Sequence, residues 1–444
     1  MDLLITHATV LSGDPDNALM EDAVIGIKDD RIAHLQVRDT INPLPNADRV
    51  INARGKVITP GFVNVHTHAI LTMVRGVAED MGFAPAYTPG VPHGHDVTPD
   101  EAVALARLGA LEALLFGSTL INDSYVHADK TLPAMGEIGG RVFACGRIHD
   151  VDFSRVHEQI WEHKTEIGEA TLKQAVELAD TWNGKMNGRL GVHMAAHAPD
   201  TCSRDLLEKV RDAASEMGLG VNCHLAQSEI EVERIQERDG MTPSELLDEI
   251  GLLNNQLIAA HCLFLNDEDI ERVGKARINV AHIPKGNATG GTAAQTSKLR
   301  RAGAQITLAT DNMHADIVEV MRWGLNIGRL QEARVSEFWQ PETVLEMATI
   351  GGARAMGLGN EIGSLEIGKK ADLVMFDFEQ VHMTPATDPL GNIVHVGQGR
   401  DVEMVIVDGR IVVEDSQAVL VDQNQIRREA AEAAKNLWER AKAS

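Results

Sequence analysis

The chain has 444 residues, 44% of them hydrophobic and 24% charged, with 41 Lys and Arg against 65 Asp and Glu for a net charge of −24. That is ordinary globular composition and excludes a chain that is disordered throughout or collagen-like. The acidic balance opposes phosphate backbones, so nucleic acid is not an expected partner.

The opening Met1–His7 has no basic region leading into an apolar run, so no signal peptide is expected. No stretch of about 18 consecutive apolar residues predicts a membrane span. Cys145, Cys202, Cys223 and Cys262 are widely spaced, which reads as reduced thiols and a cytoplasmic location. Eighteen histidines stand against two tyrosines, so the question is where the histidines fall.

In chain order, the first segment reads as short strands. Leu3–Leu11, Ala23–Lys28, Arg31–Gln36 and Val50–Ile51 are β-rich and separated by Gly13-Asp14-Pro15, Asp29-Asp30 and Asn42-Pro43. From about Gly61 the rhythm changes to eight short apolar runs: Phe62–His68, Ser118–Asp123, Arg141–Arg147, Arg189–His197, Leu219–Ala226, Gln256–His261, Ala276–Ile283 and Gln305–Asp311. Helical patterns lie between several of them. Pro99-Asp100-Glu101 opens one that runs to Gly117, and Ser203–Met217 stops at Gly218. Asp267–Lys275, Ala293–Ala302 and Pro341–Ala348 follow. Eight strands alternating with helices predict an α/β fold, a (β/α)8 TIM barrel, with an open doubly wound sheet as the competing arrangement.

After Gly363 strand character returns at Asp372–Asp377, Val402–Val407 and Arg410–Val413, with a turn at Asp408-Gly409. These strands are expected to pair with the N-terminal ones in a discontinuous β-sandwich. The expected domains are therefore 1–57 and 363–422 for the sandwich, 58–362 for the barrel and 423–444 for a C-terminal helix. That helix shows a stripe of Ile426, Ala430, Ala433, Leu437 and Ala441.

The chemistry is expected at the strand ends, because active sites of such barrels sit at the C-terminal face. In a strand, residues i and i+2 point the same way, so His66 and His68 project together from the end of the first run. The fifth run ends in Asn222-Cys223-His224, the sixth in Ala259-Ala260-His261 and the eighth in Ala309-Thr310-Asp311. The fourth ends at His193 or His197. Neutral imidazoles with one carboxylate suit zinc and comparable ions. His66, His68, His224 and Asp311 leave a position for water, whose pKa then falls toward ~7. Asp311 is placed to take the water's proton, and His261 to orient the water or polarise the scissile group.

The run from Gly55 to His68 (GKVITPGFVNVHTH), followed by Met73-Val74-Arg75-Gly76, resembles the amidohydrolase superfamily at the start of its barrel. The resembling branch contains cytosine deaminase, S-adenosylhomocysteine deaminase and atrazine chlorohydrolase. His197–Ser203 (HAPDTCS) and Gly363–Val374 (GSLEIGKKADLV) extend the likeness nearly end to end. The resemblance implies His66, His68, His224 and Asp311 as ligands of a single divalent ion, with His261 catalytic and His197 in contact with substrate. Zinc is the expected ion, with iron, manganese and cobalt as the others. A small heterocyclic substrate and a homodimer or higher homo-oligomer are the implied partners.

The chain departs from that family's His-x-x-Glu at the fifth strand, where it has His224-Leu225-Ala226-Gln227. An amide donates a hydrogen bond but passes no proton. Gln227 is thus a substrate-contacting candidate with an altered catalytic role, and Glu229 reads as a solvated residue at a helix start. His93 and His95, whose spacing also suggests a second metal, read preferentially as an exposed loop pair on a segment, Tyr87–His95, over the barrel mouth, and Lys285 reads equally as a substrate contact or a solvated cation.

The expected activity is metal-dependent hydrolytic deamination of a small aminated N-heterocycle of purine, pterin, pyrimidine or triazine type. The alternative at the same site is hydrolysis of a ring amide, a thiocarbamate-like bond or a C–halogen bond. A non-catalytic scaffold is the third reading; the complete candidate ligand set argues against it.

Overall fold

The computed structural model describes residues 1–14, 19–38, 43–80 and 90–443. The expected mouth segment is therefore described only from Gly90 onward; Tyr87, Thr88 and Pro89 lie outside the described residues.

The eight barrel strands are Phe62–Thr67, Ser118–Tyr125, Arg141–Ile148, the broken pair Leu190–Val192 and Met194–Ala196, Val221–Leu225, Leu257–His261, Asn279–His282 and Gln305–Leu308. They pair in parallel in sequence order. Six of these strands, the first, second, fourth, fifth, sixth and seventh, are buried along their whole length. This is why they read as continuous apolar runs rather than as alternation. The fourth strand breaks at His193: its first half pairs with the third strand, its second half with the third and fifth. A parallel bridge between Thr67 and Asp311 brings the eighth strand back to the first. Asn64 and Thr310 reinforce that seam, the Asn64 amide donating to Thr310 Oγ1 at 2.7 Å.

Helices between the strands begin and end where their caps dictate. Thr98 forms a capping box with Glu101 ahead of Pro99–Leu115. Ser203 caps Arg204–Met217, which stops at Gly218 in the left-handed conformation.

The N- and C-terminal segments hydrogen-bond into one nine-stranded sheet, in which Lys56–Pro60 and Leu373–Asp377 pair antiparallel and join the two ends of the chain. Arg141, at the start of the third barrel strand, ties barrel to sheet. Its Nε donates to Asp372 Oδ2 at 2.6 Å, its Nη2 to Asp372 Oδ1 at 3.0 Å and also to Asp408. All three residues are buried. A buried cation demands such partners, since an unpaired one would cost several kcal/mol.

The C-terminal helix, Gln423–Ala443, buries Ile426, Ala430, Ala433 and Leu437. Trp438 Nε1 donates to the Met73 carbonyl at 2.8 Å, and Arg440 pairs with Glu101 at 2.6 Å. The helix thus braces Pro99–Leu115 and the turn after the first barrel strand. No helix among the described residues is long and apolar enough to cross a membrane.

Candidate metal centre and active site

His66 and His68 leave the first barrel strand on one side, as their spacing requires. Their rings lie 4.7 Å apart, and the His66 ring is 4.9 Å from that of His224. One donor atom from each of His66, His68 and His224 falls within 4.8 Å of the others, and the same holds for His66, His261 and Asp311. Asp311 Oδ1 is 3.4 Å from both His66 Nε2 and His68 Nε2.

The outer nitrogens are fixed by the backbone. His68 Nδ1 lies 2.6 Å from the Ser124 carbonyl and His224 Nδ1 lies 2.6 Å from the His197 carbonyl. A carbonyl can only accept, so each Nδ1 carries the proton and each Nε2 is left with a lone pair facing the centre. His66 Nε2 is buried with no hydrogen-bond partner among the described residues. A buried polar atom without a partner is costly, and a cation at this point would satisfy it. The donor set therefore fits a divalent ion.

Electrostatics agree. Burial, then the nearby His66, lowers the His68 imidazole to about 3. Burial likewise holds His224 and His197 well below the usual range, and lowers His261. These rings are neutral at pH 7, the form that ligates metals. Burial would raise the Asp311 carboxyl, but the approach of His66, with His261 and His68 beyond it, holds it well below the usual carboxylate range. Asp311 is thus an anion facing the neutral rings of His68 and His261.

Two residues of the centre sit in the left-handed region without being glycine: His261 at φ 72° and Asp311 at φ 65°. Each lies at or just past a strand end, where the strained turn re-aims the side chain. His261 Nδ1 is 3.1 Å from Asn287 Oδ1, which orients its ring.

The centre opens into a cavity of about 440 Å³, lined in part by His197, Gln227, His261, Phe264, Arg147 and Glu79. Gln227 lies at the cavity wall, its backbone N–H held by Glu231 Oε2 at 2.8 Å. Glu229 is exposed in the first turn of Glu229–Asp239. Of the two fourth-strand histidines, His197 lines the cavity, with Nδ1 2.7 Å from Thr201 Oγ1. His193 is buried elsewhere, edge-on to Phe143. Lys285 lines the cavity but pairs with Glu319 at 2.7 Å. Asp123 and His127 serve the scaffold: Asp123 accepts from the Ala69 N–H at 2.7 Å, and His127 Nε2 lies 2.9 Å from the Val97 carbonyl.

Among the cavity residues that sequence reasoning missed are Arg147, Tyr125 and Glu79. Arg147 stacks over the Tyr125 ring at 4.8 Å and the Phe153 ring at 5.0 Å. Tyr125 stands 5.5 Å from the His68 ring. Glu79 has one carboxylate oxygen buried with no hydrogen-bond partner among the described residues. Arg147 ends the third run, so the strand-end rule could have found it; nothing local marks Glu79.

A parallel eight-stranded barrel whose strand ends gather imidazoles and a carboxylate around one point has the architecture of a metal-assisted hydrolase. Comparison with known proteins gives the same class. The Amidohydrolase family model matches residues 57–412, and the chain belongs to that family. It is 33% identical over 450 residues to the 5'-deoxyadenosine deaminase of Methanosarcina acetivorans, covering 100% of both chains. It is 32% identical over 450 residues to the 5-methylthioadenosine/S-adenosylhomocysteine deaminase of Desulforamulus reducens, covering 98% of this chain and 99% of that one. Among solved structures, an adenosine deaminase from Xanthomonas campestris with bound zinc matches with TM-score 0.87, 25% identity and 98% coverage of each chain.

Proposed function

We propose that the protein is a divalent-metal-dependent aminohydrolase acting on a small aminated nitrogen heterocycle of the adenine type. The observation that carries this is the convergence of the His66, His68 and His224 nitrogens and the Asp311 carboxylate at the floor of one cavity. The deaminase names of its relatives support the reaction type and the ring class. His66, His68, His224 and Asp311 are the proposed ligands, and the nitrogen-rich set favours zinc. In the proposed layout, residues 58–362 carry the site and the flanking segments brace it.

When bound, such an ion lowers the pKa of a coordinated water toward ~7 and polarises the group under attack. The protein's own groups do the rest. Asp311, an anion, accepts the proton of the attacking water. His261, held by Asn287, faces the same point and steadies the developing charge. The water oxygen bonds to the ring carbon that bears the amino group. Water supplies two protons: one passes through Asp311 to the amine and the other ends on the adjacent ring nitrogen, the C–N bond breaks, and ammonia leaves behind a ring carbonyl. His197 and the Gln227 amide contact the ring, and Glu79 accepts a substrate N–H.

Gln227 itself favours a second reading. Hydrolysis of a C–halogen or thiocarbamate-like bond expels an anion and needs no proton on a ring nitrogen, and hydrolysis of a ring amide needs one only on the departing nitrogen, after attack on the carbonyl. A panel of adenine nucleosides, aminopterins, aminopyrimidines and triazines, assayed for ammonia and for ultraviolet change, separates the two. Ammonia in step with turnover supports deamination; turnover without ammonia overturns it in favour of the second.

A further inference from the structure

A second group of imidazoles lies outside the cavity. His93 caps the short turn Gly94–Asp96 and His95 lies within it, and His157 comes from a separate turn, Phe153–Glu158. The His93 ring is 5.2 Å from that of His95 and 5.6 Å from that of His157, the latter pair stacked. The rings of His66, His68 and His224 stand 4.7 to 5.5 Å apart, so the spacing is nearly the same. Donor atoms of His93, His95 and Asp96 lie within 4.8 Å of one another. His95 Nε2 is 3.5 Å from Asp96 Oδ1 and His93 Nδ1 is 3.8 Å from Asp96 Oδ2. His157 Nδ1 is buried with no hydrogen-bond partner among the described residues. None of these four residues lines the cavity of the catalytic centre.

The sequence reading favours a plain loop pair for His93 and His95. What it lacks is His157, more than sixty positions along the chain, stacked on His93 with an unsatisfied nitrogen. We propose that His93, His95, Asp96 and His157 form a second, peripheral site for a divalent transition ion such as zinc. Three imidazoles and one carboxylate repeat the donor chemistry of borderline ions. The site is more open than the barrel centre: the side chains of His95, Asp96 and His157 are 41%, 36% and 33% exposed. Its ion is therefore held more weakly and exchanges first. An ion there clips the turn Gly94–Asp96 to the turn Phe153–Glu158 after the third strand. Gly94, inside the ligand turn, sits so close to Tyr125 that an added Cβ would meet the ring at 3.0 Å. Tyr125 in turn packs on His68, so the clip fixes one wall of the mouth without touching the reacting atoms.

The test is zinc titration of the holoprotein by calorimetry, with native mass spectrometry for stoichiometry and a thermal melt at each step. The wild type is expected to take up a second equivalent with a rise in melting midpoint; the His93→Ala/His95→Ala variant stops at one. A His157→Gln variant, which changes no residue of the ligand turn, is expected to weaken the second equivalent at least tenfold. His66→Ala, which breaks the barrel centre, is expected to keep the peripheral equivalent. Saturation of the wild type at one equivalent, or a second equivalent indifferent to His93, His95 and His157, overturns the proposal. Neither result bears on the deaminase reading.

Discussion

Asp311 and His66 meet twice. The Asp311 N–H donates to the His66 carbonyl at 3.1 Å, while the Asp311 carboxylate stands 3.4 Å from His66 Nε2. The Asp311 carbonyl in turn accepts from the His68 N–H at 2.5 Å. The seam that joins the first and last barrel strands is thus also the floor of the proposed active site. Main-chain atoms hold the seam, and side chains do the chemistry.

That separation makes Asp311→Asn informative. Its backbone bonds survive, so circular dichroism and melting midpoint should stay close to wild type. Turnover should fall by roughly 10³-fold or more, since both an anionic ligand and the proton acceptor are lost, a barrier change of several kcal/mol. Activity within tenfold of wild type would remove Asp311 from its assigned role.

Removing metal with a chelator should abolish turnover and lower the melting midpoint, because the ion binds the folded state alone. Added zinc should restore both. Full activity in protein with well under one ion per chain, by elemental analysis, would end the metal-dependent reading.

Gln227→Glu restores a group able to pass a proton to a ring nitrogen. Ammonia release from aminopurines should rise at least tenfold, with a new acid limb in the pH profile. An unchanged or lower rate on every aminated ring would show that the amide is not what limits ring protonation.

Glu79→Gln keeps shape and removes charge. A charge-assisted hydrogen bond is worth about 1.5–3 kcal/mol, so kcat/KM should drop roughly 10- to 100-fold, chiefly through KM. Unaltered kinetics would place Glu79 outside substrate recognition.

Stability should depend on pH through two buried histidines outside the centre. Burial lowers His193 to about 4 and His282 to about 3. Below about 6.5 the unfolded chain binds protons that the folded one refuses. Their stability contribution is therefore complete above 6.5 and is lost as pH falls toward 4 and 3. By pH 5 each costs roughly 2 kcal/mol. Urea unfolding at pH 7 and pH 5 checks this, and His282→Gln should make the difference smaller by about that amount.

Much of this was readable in the sequence, for physical reasons. Strands buried on both faces leave unbroken apolar runs, so the eight barrel strands emerge within three residues of their observed bounds. The two-residue period of a strand puts His66 and His68 together, and barrel closure gathers His224, His261 and Asp311 to them. What stayed hidden depends on distant partners. The left-handed turns at His261 and Asp311 have no local signature, since neither is glycine. The choice between His193 and His197 turns on a break in the fourth strand. Thr165–Trp182 has no side-chain cap at Lys164 to announce it. Glu79 reaches the cavity through packing that no short window of sequence contains, whereas Arg147 stands at the end of a predicted run.

The guanidinium of Arg141 has a consequence for how the chain is made. Its two acidic partners, Asp372 and Asp408, follow it by more than two hundred residues. During synthesis the barrel's third strand emerges long before either counter-charge exists, and Lys56–Pro60 waits longer still for Leu373–Asp377. The nascent barrel must therefore carry an unneutralised cation at its base until the ribosome has nearly finished. A truncation before Asp372 should strand that charge and hand the product to the degradation machinery rather than yield a smaller working enzyme.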